Sequence, residues 1–158
     1  MKTIQMGNTT KILMKEGDQL FSQGDEGDSA YMIVYGNLDV LVDNKKKGSM
    51  RDGEVFGELA LLLNQRRSAT IIASAATELI SISKESLDEL LSSGSDNVKK
   101  LINELCVELS KRSEFQKIPF TKEILEQHLE DENQIISKLA QQIFYRLENL
   151  IIANSAFL

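Results

Sequence analysis

The stretch Gly53-Glu54-Val55-Phe56-Gly57-Glu58-Leu59-Ala60-Leu61-Leu62-Leu63, continued by Asn64-Gln65-Arg66-Arg67-Ser68-Ala69-Thr70, carries the residue types and spacing most able to do chemistry. It reads as a glycine turn, a short run of good helix formers, an arginine and then a strand. The amino end of a helix exposes unpaired N–H groups and the positive end of a dipole, which suit an anion. Gly57 lets a ligand approach the backbone. The planar fork of Arg67 matches phosphate oxygens, and one such charged hydrogen bond contributes roughly 1.5–3 kcal/mol. Glu58 would repel a phosphate, but it suits the sugar hydroxyls beside one. Together Glu58 and Arg67 describe a ribose-phosphate pocket. From residue types alone a second reading stands level with it: a plain surface ion pair worth under ~1 kcal/mol.

Other chemistries find little material. With one cysteine, Cys106, and one histidine, His128, the chain has no internal disulfide, no His/Cys zinc set and a poor case for a Cys–His nucleophile. A metal enzyme on a β scaffold needs clustered histidines, and His128 lies in a helical stretch. No metal site is expected. The net charge of -6 and the sequence pI of about 4.9 disfavour non-specific binding to nucleic acid or to a membrane surface. The first residues lack an apolar core, so no signal peptide is expected, and no apolar run approaches the ~18 residues of a membrane span. A cytoplasmic location is the expectation.

Two kinds of element must position the candidate pocket. Of the nine glycines, all but Gly94 lie at or before Gly57. Glycines between short apolar runs predict tight turns and an all-β front part. Strands are expected at Lys11–Met14, Gln19–Ser22, Ala30–Tyr35, Asn37–Val42, Thr70–Ala73 and Leu79–Ser83. Gly36-Asn37 offers hairpin chemistry, and Asn44-Lys45-Lys46-Lys47-Gly48 reads as a solvated hairpin tip. Helices follow. Ser83 can cap Lys84–Leu91, and Ser95 or Asp96 can cap a helix running to about Phe115. That second helix carries an apolar stripe at Val98, Leu101, Ile102, Leu105 and Leu109. Beyond the single proline, Pro119, Thr121 can cap one last helix, with Phe120 and Leu125 spaced as a hydrophobic staple. Its apolar face, Ile136 to Ile151, is broad enough that it must pack on the barrel or on another chain, and it is the candidate docking or dimer surface.

Phe56-Gly57-Glu58-Leu59-Ala60-Leu61, followed by Arg67-Ser68-Ala69-Thr70, resembles the phosphate-binding cassette of the cyclic-nucleotide-binding domain family. That family includes the catabolite activator protein and the regulatory subunits of protein kinase A. Upstream, Phe21 to Gly36 resembles the family's glycine-punctuated strands, and the likeness extends from about residue 15 to 90. The resemblance implies a mainly β fold with added helices: an eight-stranded jelly-roll β-barrel holding the cassette helix, with C-terminal helices. It implies a barrel domain over 1–94 and a helical lid, dimerisation or docking segment over 95–158.

It further implies a ligand site of Phe56, Gly57, Glu58, Leu59, Ala60, Arg67, Ser68 and Ala69. In it Glu58 would bind the ribose 2′-OH, Arg67 would neutralise the cyclic phosphate, and Gly57, Leu59 and Ala60 would line the pocket and offer backbone N–H groups. Arg112 and Ser113 would be the candidate pair covering the base; read simply, Arg112 is a solvated charge at a helix end. Serine at 68 fits cyclic AMP best, and cyclic GMP remains compatible with it. No cofactor and no catalytic residue are implied. The expected function is a cyclic-nucleotide sensor that signals through its C-terminal helices to a partner protein or a homodimer. The alternative is a degenerate family member acting as a ligand-independent interaction module. The tail after Lys117 is acidic and shows no basic recognition helix, so DNA binding is not expected.

Overall fold

The computed structural model describes residues 1–7, 9–111 and 116–155. The chain divides into two compact units, Met1–Leu87 and Asp88–Leu158. The expected boundary stood at 94/95. No helix among the described residues is long and apolar enough to cross a membrane.

The first unit holds β1 (Lys2–Met6), β2 (Thr9–Met14), β3 (Gln19–Phe21), β4 (Ser29–Tyr35), β5 (Asn37–Val42), β6 (Lys45–Arg51), β7 (Val55–Phe56), α1 (Glu58–Leu62), β8 (Thr70–Ala73) and β9 (Thr77–Ser83). All pairing is antiparallel, in a five-stranded sheet of order β1-β2-β9-β4-β7 and a four-stranded sheet of order β3-β8-β5-β6. The fold is thus mainly β with helices, as the resemblance implies. The strand count differs: nine among the described residues, in two separate ladders, where one eight-stranded barrel was expected. Ile12, Met14, Tyr31, Ile33, Phe56 and Leu79 from the larger sheet share one core with Leu38, Ile71 and Ala73 from the smaller. Ile12 and Met14 of β2 and Ile71 and Ala73 of β8 alternate with less buried neighbours and turn one face of their strands to that core.

Two turn readings are corrected. Gly36 does not close a hairpin: β4 pairs with β7 and β9, while β5 pairs with β6 and β8. Gly36 instead carries the chain from one sheet to the other. Its φ is 119°, and a Cβ there would lie 2.6 Å from the Cα of Thr77, so only glycine fits. The lysine tract is not a loop tip either. Asp43 and Asn44, with φ of 53° and 64°, make a two-residue turn whose twist matches the flanking strands. Lys45 therefore already begins β6, which lies at the edge of its sheet. Lysines on an edge strand discourage pairing with another chain.

The helices continue with α2 (Lys84–Ser93), α3 (Asp96–Ser110), α4 (Lys122–Leu129) and α5 (Gln134–Ser155). The caps sit where the sequence puts them. Ser83 Oγ accepts from Ser86 N–H at 3.1 Å, Ser95 Oγ from Val98 N–H at 3.2 Å and Thr121 Oγ1 from Ile124 N–H at 3.3 Å. One helix was expected after Thr121, and two are found. Asn133 Oδ1 accepts from Ile135 N–H at 2.8 Å, which starts α5 afresh after the turn at Glu130–Asn133.

In the second unit α3, α4 and α5 pack on one another. Val98, Ile102 and Leu105 are buried, as are Leu125, Leu129, Ile136, Leu139, Ala140, Ile143, Phe144 and Leu147. The apolar face of α5 from Ile136 to Leu147 is therefore core, and not the open docking surface the sequence suggested. The rings of Phe120 and Phe144 meet at 6.0 Å.

Glu132 fastens this unit at one point. Its Oε2 accepts from Ser95 N–H and its Oε1 from Asn133 N–H, both at 3.1 Å, and the Ser95 bond holds its carboxyl below the usual carboxylate range. A lowered carboxylate pKa adds stability above the unfolded value near ~4.3, and that stability drains as pH falls through the folded value. Glu132→Gln is expected to destabilise the protein by about 1 kcal/mol at pH 7, discounted for partial exposure. Thermal melts of both proteins should show that difference shrinking as the pH falls below about 4.3.

Candidate functional site

The chain approaches the site through β7 and turns at Gly57, whose φ is 79° and ψ 0°. This left-handed residue precedes α1 without a side-chain cap. Leu63 N–H closes onto Leu59 O at 2.9 Å and Gln65 N–H onto Ala60 O at 3.2 Å. Asn64, at φ 51°, then reverses the chain and brings Arg67 back. There a pair of backbone bonds clamps it: Arg67 N–H donates to Asp25 O and Gly24 N–H to Arg67 O, both at 2.8 Å.

The side chain of Arg67 is 5% exposed. Nη1 donates to Gly57 O at 2.8 Å and Nη2 to Ser29 O at 2.6 Å. Cζ stands 4.2 Å from the centroid of the Phe21 ring and 5.7 Å from that of Tyr31. Among the described residues no carboxylate oxygen lies within ion-pairing distance of it. Arg66, by contrast, is exposed, bonds to Gly24 O at 3.1 Å and pairs loosely with Glu26 at 3.5 Å. Burial pulls the Arg67 pKa down, against the charges of Asp28, Glu58 and Asp25. Burial also pushes the Tyr31 phenol up. An arginine stays protonated through such a shift, so the site holds a buried positive charge bonded to neutral carbonyls.

The predicted residues fall into place around it. Gly57 meets Arg67 through its carbonyl. Glu58 is fully buried, and its charge acts on Arg67. Ala60 is buried, Leu59 and Ala69 are partly buried, and Ser68 is exposed. The Phe56 ring lies in the core, stacked on Tyr31 at 5.3 Å. Arg112 and Ser113 lie outside the described residues. Four contributors escaped the sequence reading: Phe21, Gly27, Ser29 and Tyr31. The signal available for them was Gly27. A Cβ at that position would lie 2.5 Å from Arg67 Cζ and 2.6 Å from its Nε, so the bare backbone makes room for the guanidinium.

The geometry finds company among known proteins. The family model described as "cyclic nucleotide-binding domain" matches residues 11–93. A cAMP-dependent protein kinase regulatory subunit of Eremothecium gossypii is 33% identical over 94 residues, which are 60% of this chain and 20% of that protein. A cGMP-dependent protein kinase of Toxoplasma gondii is 44% identical over 61 residues, 39% of this chain and 6% of that one. The chain thus spans a small part of the curated relatives it matches. A structure of the EAL enzyme Bd1971 in a half-site-occupied form aligns with a TM-score of 0.57 and 32% identity over 63% of this chain and 93% of that one.

The two glycines against Arg67 should respond differently to alanine. At Gly57 the backbone itself is left-handed and the new Cβ would lie 2.7 Å from Nη1. Gly57→Ala is expected to lower stability by about 1–2 kcal/mol in urea unfolding. At Gly27 the backbone is unstrained, but the buried guanidinium would have to yield and part Nη2 from Ser29 O, so Gly27→Ala should cost about 1.5–3 kcal/mol through the lost charged hydrogen bond. A structure of the Gly27 variant checks the second half.

Proposed function

Because the chain belongs to the cyclic nucleotide-binding domain family, we propose that it is a sensor that takes cyclic AMP and uses Arg67 to neutralise the cyclic phosphate. The observation that carries this is the state of Arg67: a buried cation whose hydrogen bonds go to two carbonyls and whose face rests on an aromatic ring. A cation in that setting gains strongly from an anion, since the local dielectric is low and the desolvation has already been met on folding.

The remaining roles follow from position. Glu58, buried beside Arg67, accepts from the ribose 2′-OH. Gly57, Leu59 and Ala60 line the phosphate at the start of α1, with Phe56 beneath and Ala69 beside them. Ser68 is exposed next to Arg67, where its hydroxyl can reach the phosphate. A serine there favours cyclic AMP. The relatives named for cAMP-dependent and for cGMP-dependent kinases support a cyclic purine nucleotide of either kind. The chain itself carries out no reaction on the nucleotide.

Output passes through the second unit. With the α5 face consumed by its own core, the apolar side chains left at the surface include Ile124 and Tyr145, 41% and 57% exposed. Those are the proposed contact points for a partner or a second copy. The nucleotide shifts the outcome only in so far as it binds one arrangement more tightly than another.

Isothermal titration tests the reading. Cyclic AMP should bind the native protein at micromolar concentration or below, and Arg67→Ala should weaken it by roughly ten- to a hundredfold, the range for a lost charged hydrogen bond. A native protein that takes up neither cyclic AMP nor cyclic GMP at millimolar ligand would leave a ligand-independent interaction module in its place.

A further inference from the structure

A guanidinium offers five N–H donors, all in its plane, and two open faces. A carboxylate partner would offset its charge from within the plane and occupy the same donors that an anionic ligand needs. At Arg67 the plane and the faces are used separately. In the plane, one bond goes to Gly57 O and one to Ser29 O. Nε is buried and meets no acceptor among the described residues. Over one face, Phe21 stands 4.2 Å from Cζ. The negative face of an aromatic ring offsets part of a cation's charge without taking an N–H.

Phe21 is itself held in place. Its ring meets Tyr31 at 6.0 Å and Phe56 at 6.3 Å, and those two stack on each other at 5.3 Å. Phe21 comes from β3 of the four-stranded sheet, whereas Tyr31 and Phe56 come from β4 and β7 of the five-stranded one. The bed under the guanidinium is thus built where the sheets share their core. A Cβ at Gly27 would lie 2.5–2.8 Å from Cζ, Nε and Nη2, so the absence of a side chain there gives the guanidinium its room. The bonds to Gly57 O and Ser29 O and the Phe21 ring together restrict rotation of the side chain about its last bonds.

We propose that Phe21 is a positioning residue for anion recognition: its ring fixes the plane of the Arg67 guanidinium and leaves the spare in-plane donors directed to the cyclic phosphate. This rests on the nucleotide-binding reading above. A leucine at 21 would fill the core but present no negative face.

The test compares native protein, Phe21→Leu and Phe21→Tyr by titration with cyclic AMP, together with the Arg67 Nε–H resonance, assigned from its loss in Arg67→Lys. Phe21→Leu should weaken cyclic AMP by about three- to thirtyfold, and Phe21→Tyr should stay within about twofold of native. The proton on Nε, a nitrogen bonded to the Cζ that stands 4.2 Å from the Phe21 centroid, should resonate upfield in the native protein without nucleotide and move downfield in Phe21→Leu. Equal affinity in the Leu and Tyr variants overturns the proposal, and so does an unshifted native resonance, which needs no variant to fold. A native protein that binds no cyclic nucleotide overturns the functional reading, and the positioning role with it, even if the resonance shows the stack.

Discussion

The first unit is organised around one buried positive charge. Removing a guanidinium from water carries an effective penalty of several kcal/mol even after the protein relaxes. Here it is offset in three ways: by carbonyls of Gly57 and Ser29, by the faces of Phe21 and Tyr31, and by the nearby charges of Glu58, Asp25 and Asp28. None of the bonds it makes neutralises it outright. Such an arrangement favours a specific anion over water, and it is the kind of local sacrifice that functional sites make against stability.

The sheets exist, in this light, to bring distant segments against that charge. Residues 21, 27, 29, 31 and 57 reach Arg67 from β3, β4, the loop between them and the end of β7. The clamp of Arg67 onto Gly24 and Asp25 keeps that loop from moving away. Glycine is required at two of these points for different reasons: at 57 the backbone is left-handed, and at 27 the arginine fills the space of a side chain. A third glycine, Gly36, is needed where the chain changes sheets against Thr77.

Much of this was legible beforehand. Glu58, Arg67 and the short helix between them could be read from residue types and spacing, and the resemblance named the family. Caps at Ser83, Ser95 and Thr121 were readable because a hydroxyl before an apolar stripe has one obvious use. Other features were not. The two helices after Thr121 read as one because Leu129 and Ile136 are spaced in phase with a continuous helix, so the periodicity runs through the break that Asn133 makes. The lysines of β6 read as a loop because a solvated edge strand has no apolar alternation to show. Phe21 read only as part of the strand candidate Gln19–Ser22.

What the sequence determined by itself is local: which segments can be strands or helices, where they start, and which side chains carry the charge for a phosphate. Those depend on neighbours within a few residues, through capping, propensity and the period of apolar positions. What only the tertiary structure decided is pairing and company: that β4 and β5 part into different sheets, that the face of α5 is spent on α3 and α4, and that Arg67 lies on Phe21 against a bare Gly27. These are contacts between segments far apart in the chain, and their energies depend on distance in space, which spacing along a sequence does not record.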